Sequence, residues 1–186
     1  DYLSLEESTQ KPADALTLLN KGVFVYRTME EARDLASVLA RTCRESRSAV
    51  LGLSELMTNA VEHGNLGITY DDKSRLHRSG AWGAEVERHL QMDDYRDKTI
   101  TIILERGKGA VQISIQDEGG GFDWEEYLEI QPERAFDGHG RGIALANRSC
   151  FESLEYSGNG NKVTVITTCA PKSTERSLLR SGRAAA

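Results

Sequence analysis

The chain changes repeatedly between two hydrophobic periods, and each period predicts a different kind of element. Apolar residues at every second position predict strands with one buried face. Five stretches show this pattern: 22–26, 100–104, 111–115, 153–156 and 162–168. Glycine-containing turns at 107–109 and 158–160 join the second stretch to the third and the fourth to the fifth. The pattern therefore predicts one isolated strand and two hairpins.

Apolar residues at helical spacing fill the gaps between these strands. The predicted helices cover four stretches: 28–43, 47–63, 70–90 and 141–150. Thr28 is a good N-cap for the first helix, and Glu30 and Glu31 follow in its first turn, where carboxylates suit the helix dipole. Gly64 is placed to end the second helix as its C′ residue. Three residues of the last helix are expected to point inward: Ile143, Leu145 and Ala146.

The length of 186 residues is enough for one domain with a real core and too little for two large ones. We predict a domain at 22–170, preceded by a polar linker at 1–21 and followed by a polar tail at 171–186. A long charged insert at 66–97 interrupts the domain and carries the third predicted helix. Because the sequence begins at Asp1 without an initiator Met, we expect it to be a piece of a larger protein.

The composition excludes several classes of protein. The formal net charge of −6 argues against a general nucleic-acid binder. The longest apolar runs are far too short to span a membrane, and the sequence shows no signal peptide. Cys43, Cys150 and Cys169 are odd in number and widely spaced, which fits reduced thiols better than a disulfide framework or a zinc site. We therefore expect a cytoplasmic protein with no nucleic-acid and no membrane partner.

Two polar residues on the second predicted helix have the chemistry that a phosphate-bound cation needs. Glu55 and Asn59 are four residues apart, so they share one helical face, and that face borders the core stripe. An Asn oxygen suits Mg²⁺, which keeps several waters and takes few protein ligands. A Glu beside it can orient or deprotonate an attacking hydroxyl. The alternative interpretation is a solvated helix face that carries an Asn by chance.

Asp117 continues the inward phase of the third predicted strand. A carboxylate on a buried face is costly without a partner, and an adenine amino group is one such partner. Gly119 and Gly121 follow it, and glycines let the backbone approach a flat ring closely. The alternative interpretation is an ordinary turn after a strand, in which Asp and Gly are common.

Gly138, Gly140 and Gly142 surround the start of the last predicted helix, where backbone N–H groups and the helix dipole hold phosphate oxygens. Arg141 adds positive charge between two of these glycines. The alternative interpretation is a helix N-terminus that merely has flexible glycines. The acidic segment at 124–136 lies between the two groups of glycines and shows no clear period, which predicts a mobile lid. A short packed helix is the alternative for that segment.

Three segments resemble the N box and the two glycine boxes of the GHKL ATP-binding superfamily: 55–64, 117–122 and 138–145. The stretch LSELMTNAVEHG at 53–64 is most similar to the N box of the bacterial anti-sigma-factor serine kinases. The resemblance covers about 22–168. It implies an α+β fold, a Bergerat-type α/β sandwich with a mixed, mostly antiparallel sheet and helices on one face.

The resemblance also implies ATP and Mg²⁺ as cofactors and assigns roles by position. Asn59 would bind Mg²⁺, Glu55 would be the base for a serine hydroxyl, and Asp117 would bind the adenine amino group. Five glycines would line the nucleotide: Gly119 and Gly121 at the base, and Gly138, Gly140 and Gly142 at the phosphates, where the charge of Arg141 is also expected. The family often has a Gly-Thr pair before its last strand, and the counterpart of that Thr here is Thr164, although the pair itself is missing.

The leading hypothesis is an ATP-dependent serine/threonine protein kinase of a bacterial partner-switching pathway. Its expected substrate is a STAS-type anti-sigma-factor antagonist, with a sigma or anti-sigma factor as a further partner and a homodimer left open. Two alternatives remain: an ATP-binding module that sequesters a regulator, and a histidine-kinase catalytic domain. Glu55 favours the serine kinase because a hydroxyl needs a base and an imidazole nucleophile does not. The 66–97 insert resembles kinase-like domains attached to response-regulator or phosphatase modules, and it is expected to form a partner surface or to shield the sheet edge.

Overall fold

The computed structural model describes residues 16–128 and 142–171. Most of the predicted linker at 1–21 and nearly all of the predicted tail at 171–186 lie outside these residues. Three of the predicted site residues also lie outside them: Gly138, Gly140 and Arg141.

Five β-strands form one antiparallel sheet. Their bounds are β1 Lys21–Tyr26, β2 Ile100–Arg106, β3 Ala110–Gln116, β4 Ser153–Ser157 and β5 Lys162–Thr168. The order across the sheet is β1-β2-β3-β5-β4, and every pairing among the described strands is antiparallel. The five strands that alternation predicts are confirmed, and the glycine turns join β2 to β3 and β4 to β5 as expected.

Five α-helices occur in the described part of the chain. Their bounds are α1 Met29–Leu39, α2 Ser46–Asn59, α3 Tyr70–Ser79, α4 Trp82–Gln91 and α5 Gly142–Ser149. The first begins as predicted, because the Thr28 hydroxyl accepts from the backbone N–H of Glu31 at 3.2 Å. The Glu31 carboxylate in turn accepts from the Thr28 N–H at 2.9 Å. This capping box satisfies backbone donors that the first turn of a helix leaves unpaired.

The helices cover one face of the sheet. The inward residues of β2 and β3 are almost completely buried: Ile100, Ile102, Leu104, Val111, Ile113 and Ile115. The apolar stripes of α1 and α2 belong to the same core: Ala32, Ala36, Leu39, Leu53 and Leu56. On the other face of β1, Val23 and Val25 are 59% and 61% exposed. The predicted α+β sandwich with helices on one face is therefore confirmed.

The second predicted helix does not end at Gly64. The α2 helix runs directly into a π-helical turn, Ala60–Asn65, and Gly64 lies inside that turn. Gly67, three residues further on, has a left-handed backbone at φ 62°, whereas Gly64 does not. The expected C′ role of Gly64 is therefore wrong, because the wider π turn carries the helix past it.

The insert contains two helices where the hydrophobic period predicts one over 70–90. Gly80 has φ 69° and ends α3, and α4 begins two residues later. Glycine adopts this left-handed conformation without steric cost, which is why it so often ends helices. Three apolar residues of the pair join the main core: Leu76, Val86 and Leu90. The insert therefore packs onto the body of the domain.

The α5 helix buries a different set of side chains from the one predicted. Ile143 and Ala146 point inward as expected, but Leu145 is 49% exposed and Ala144 is buried instead. A residue two positions after Ile143 lies about 200° around the helix, so Leu145 cannot share its face.

Candidate nucleotide site

One pocket brings most of the predicted site residues together. It lies between α2 with its π turn, the chain that follows β3, the start of β5, the first residue of α5 and the start of the insert, and it encloses about 310 Å³. Five of the predicted residues line it: Glu55, Asn59, Asp117, Gly121 and Gly142. Gly119 lies next to Asp117, whose carboxylate it contacts. A volume of this size is within the range of small-molecule sites.

Glu55 and Asn59 share the pocket face of α2. Asn59 Nδ2 is 3.5 Å from Glu55 Oε1, to which it donates. An amide that donates through its nitrogen keeps its carbonyl oxygen as an acceptor for another group. The rotation of the helix is fixed by Leu53 and Leu56, which are buried in the core beside this face.

The Glu55 carboxylate packs directly against the first residue of α5. A Cβ added to Gly142 would lie 1.8 Å from Glu55 Oε1, so only glycine leaves the carboxylate in this position. The carboxylate consequently lies beside a helix N-terminus, where the helix dipole favours negative charge. We call this part of the pocket, formed by Glu55 and Gly142, the glycine end.

Asp117 follows β3 and lies against the π turn. A Cβ added to Gly64 would lie 2.5 Å from Asp117 Cγ, so the carboxylate rests on the bare backbone of that glycine. Asp117 Oδ1 accepts from the Gly119 N–H at 2.8 Å. Burial raises the pKa of the Asp117 carboxyl, although this hydrogen bond opposes the rise. A carboxylate short of solvent is a strong acceptor for a ligand N–H.

The pocket therefore has two distinct ends. Gly142 contacts Glu55 in α2, whereas Asp117 contacts Gly64 in the π turn that follows α2. These two contact points are nine residues apart along α2 and its π turn, which corresponds to on the order of 10 Å of helix. We call the part formed by Asp117 and Gly64 the aspartate end.

Glycines fix the wall around the aspartate end. A Cβ at Gly119 would lie 2.3 Å from the carbonyl oxygen of Gly64, and one at Gly121 would lie 2.0 Å from that of Asn159. Gly121 also has φ 79°, a conformation that L side chains rarely adopt. Both glycines thus let the chain after Asp117 pack backbone to backbone against neighbouring loops.

Thr164 is not brought to the pocket. Its neighbour Val163 lines the pocket, and successive residues of a strand point to opposite faces. Thr164 Oγ1 lies 3.0 Å from Ser114 Oγ instead. Asn161 and Val163 occupy the part of the pocket where a role for Thr164 was expected.

Asn65 lies beside the pocket and supports it, and the sequence pattern does not indicate this role. Its side chain is buried, and Oδ1 accepts from the backbone N–H of Glu118 at 2.8 Å. The backbone carbonyl oxygen of Asn65 accepts from Lys98 Nζ at 3.4 Å. The first contact ties the π turn to the loop that carries Asp117, and the second ties it to the segment before β2. Helical spacing counted from Asn59 cannot place this residue, because the π turn changes the register.

Glu62 anchors the insert beside the pocket, and the sequence pattern gives no sign of this either. Its side chain has no exposed surface; Oε2 lies 2.6 Å from Lys73 Nζ, and Oε1 accepts from Trp82 Nε1. The next residue, His63, contacts the carbonyl oxygen of Ile68 through its ring, and burial lowers its pKa. His63 therefore holds the start of the insert against the π turn and also lines the pocket.

The described start of the predicted lid at 124–136 is packed. Four aromatic side chains form a cluster: Phe122, Trp124, Tyr127 and Tyr156. Tyr156 makes an edge contact with Phe122 and stacks on Trp124, with ring centroids 5.4 Å and 5.8 Å away. Up to residue 128 this segment is therefore packed, as in the alternative to a mobile lid. The rest of the segment lies outside the described residues.

The fold and pocket define a class of protein: an α/β sandwich in which a long helix, an aspartate after a strand and a glycine at a helix start surround one site. The model of the histidine kinase-like ATPase domain family matches residues 25–167, and the chain belongs to this GHKL-type family. No protein with curated annotation matches the chain. Across residues 16–128 and 142–171, no helix is long and apolar enough to cross a membrane.

Proposed function

We propose that the protein is an ATP-dependent serine/threonine protein kinase. The observation that carries this proposal is the position of Glu55, which is within reach of Asn59 and packs against Gly142 at the glycine end. A carboxylate at that place can accept the proton of an attacking hydroxyl group. A histidine nucleophile needs no such base, so Glu55 supports a serine or threonine substrate.

ATP and Mg²⁺ fit this donor set in one orientation. At the aspartate end, the half-buried Asp117 carboxylate offers an acceptor for the adenine amino group. At the glycine end, the Asn59 amide oxygen is a hard ligand suited to Mg²⁺, and the start of α5 offers backbone N–H groups to phosphate oxygens. When bound, ATP·Mg²⁺ supplies the phosphoryl group and neutralises much of the charge that develops on it.

Three side chains then have separate roles in nucleotide recognition, positioning and proton acceptance. Asp117 recognises the base and so fixes how far the nucleotide extends along α2. Asn59 orients the Glu55 carboxylate by donating to Oε1. The oxygen of the substrate hydroxyl attacks the γ-phosphorus in line with the leaving group, and Glu55 receives the proton of that hydroxyl. Positioning and proton acceptance therefore come from residues one helical turn apart.

We propose a serine on a STAS-type anti-sigma-factor antagonist as the substrate, in a cytoplasmic partner-switching pathway. The support is the likeness of the stretch at 53–64 to the N box of anti-sigma-factor serine kinases, together with the Glu55 geometry. In such a pathway, a sigma or anti-sigma factor would be the partner that phosphorylation releases or captures.

The test is transfer of radiolabel from ATP to candidate STAS domains, followed by acid treatment of the product. Phosphoserine and phosphothreonine survive acid, whereas phosphohistidine does not. We expect acid-stable label on the partner, which forms far more slowly with Glu55→Ala and at the wild-type rate with the exposed control Glu45→Ala. Acid-labile label would indicate a histidine kinase instead. Nucleotide binding without transfer to any partner would indicate a binding module.

A further inference from the structure

The insert is part of the pocket wall. Five of its residues line the pocket: Gly67, Ile68, Thr69, Tyr70 and Lys73. The Ile68 N–H donates to the carbonyl oxygen of Glu62 at 2.9 Å, which holds the start of the insert against the π turn. Thr69 then caps α3 by accepting from the Asp72 N–H at 3.2 Å. The position of Lys73, one turn into α3, is fixed by these contacts.

Lys73 is the only Lys or Arg that lines the described part of the pocket. Its side chain is 18% exposed, and its ammonium group lies 2.6 Å from the fully buried carboxylate of Glu62. The second oxygen of that carboxylate accepts from Trp82 Nε1, so the carboxylate is held from two sides. An ammonium group has three N–H donors, and the pairing with Glu62 uses one of them.

A buried ion pair alone is a weak reason for these residues, because an apolar pair of similar volume often stabilises a fold as well or better. The pocket also contains the carboxylates of Glu55 and Asp117, which repel an anionic ligand. Even with Mg²⁺ bound, a nucleotide polyphosphate in such a pocket is stabilised by positive charge from the protein. On the basis of the proposed function, we propose that Lys73 binds a phosphate group of the nucleotide, so that the insert supplies part of the nucleotide site.

The partner of Lys73 also shows where along the pocket the contact falls. Glu62 lies between Asn59 and Gly64 in the chain, so Lys73 is nearer to the aspartate end than Glu55 and Gly142 are. The phosphate groups close to the ribose are therefore the ones within its reach. The γ-phosphate belongs to the glycine end.

The experiment measures binding by calorimetry with adenosine, AMP, ADP and ATP, using the full chain. Two variants remove the ammonium group while satisfying Glu62 in different ways. Lys73→Gln leaves an amide that can still donate to Glu62. The double variant Lys73→Met with Glu62→Gln removes both charges, so no unpaired carboxylate is left buried. Lys108→Met, in the exposed turn between β2 and β3, is the matched control for the loss of one positive charge.

We expect both variants to bind adenosine like the wild type and to lose affinity for the phosphate-bearing ligands by on the order of ten- to a hundredfold, the usual range for a charge-assisted hydrogen bond. The first ligand of the series at which wild type and variant diverge identifies the phosphate that Lys73 binds. Lys108→Met should match the wild type throughout.

Two results would overturn the inference. Wild-type affinity for ATP in either variant would show that Lys73 makes no phosphate contact. An equal loss for adenosine and ATP would show that it only holds the pocket together. Failure of the wild type to bind any of the four ligands would instead remove the proposed function, which makes the two failures distinguishable.

Discussion

Asp117 is the residue at which stability and binding oppose each other. Its pKa is raised mainly by burial, so the ionised form is less favourable in the folded protein than in the unfolded chain. A group with a raised folded pKa contributes stability that is fully present below its unfolded pKa, near 4, and is lost as pH rises through the folded pKa. At neutral pH the ionised carboxylate therefore costs stability, which is consistent with a residue kept for a ligand.

We accordingly expect Asp117→Asn to raise the melting temperature at neutral pH and to lower affinity for adenine nucleotides. The gain in stability should shrink as pH falls, because the wild-type carboxyl is then protonated as well. Thermal unfolding at a series of pH values and calorimetry with ADP measure the two effects. The exposed Asp94→Asn is the control. A variant that is less stable and still binds nucleotide would contradict this account.

Glu55 is expected to affect a different quantity. Glu55→Ala should leave the dissociation constant for ATP·Mg²⁺ nearly unchanged and lower the rate of phosphoryl transfer by about 10²–10⁴-fold, the usual contribution of a general base. Single-turnover kinetics together with equilibrium binding separate the two quantities. A loss of nucleotide affinity as large as that of Asp117→Asn would show that Glu55 and Asp117 do not divide recognition from proton transfer.

At the scale of elements, the start of α5 sets the position of the glycine end. Gly142→Ala would place a methyl group 1.8 Å from the present position of Glu55 Oε1, so the carboxylate must move. We expect phosphoryl transfer to fall by about 10²-fold, because displacements near 1 Å at a reacting group cost that much. Adenosine, bound at the aspartate end, should retain its affinity.

A matched control for Gly142→Ala exists in α4. A Cβ at Gly83 would have no atom within 4 Å, and the backbone there does not have a positive φ. Gly83→Ala is therefore expected to keep activity and to add about 0.4–1 kcal/mol of stability. If both variants transfer phosphate like the wild type, Glu55 has room to move without consequence.

The elements that the sequence predicts well are those set by local chemistry. Alternation is enough for β2 and β3, because each has one fully buried face, and Thr28 caps α1 through contacts within one turn. The π turn after α2 and the break at Gly80 are different. Both depend on how the insert packs against the core, which a period cannot express, since tertiary contacts override local preference.

The site divides in the same way. Glu55 and Asn59 could be paired from their spacing, and the inward direction of Asp117 from the phase of its strand, because helix and strand geometry set which way these side chains point. Lys73 and Asn65 could not be found, since their partners, Glu62 and the Glu118 backbone, are defined only by the folded chain. The role of Thr164 was expected from the position of a threonine in the family. Because alternate residues of β5 point to opposite faces, its side chain contacts Ser114 instead of the pocket.

At the scale of the whole molecule, the insert belongs to the cooperative core. Leu90 in α4 is buried, whereas Leu51 in α2 is 70% exposed. Leu90→Ala is expected to lower the free energy of unfolding by about 2–5 kcal/mol, the usual cost of truncating a core leucine. Leu51→Ala should change it by less than about 0.5 kcal/mol. Urea denaturation measures both, and equal midpoints for the two variants would show that the insert folds apart from the domain.

The place of β1 at the sheet edge has a consequence for the kinetics of folding. Its pairing with β2 joins residues as far apart as Lys21 and Glu105, which are 84 positions apart. The β2–β3 and β4–β5 hairpins close over a few residues and carry a much smaller loop-closure entropy. We expect the hairpins to be formed in the transition state and β1 to add afterwards. Substitutions in β1 should then accelerate unfolding and leave the folding rate nearly unchanged.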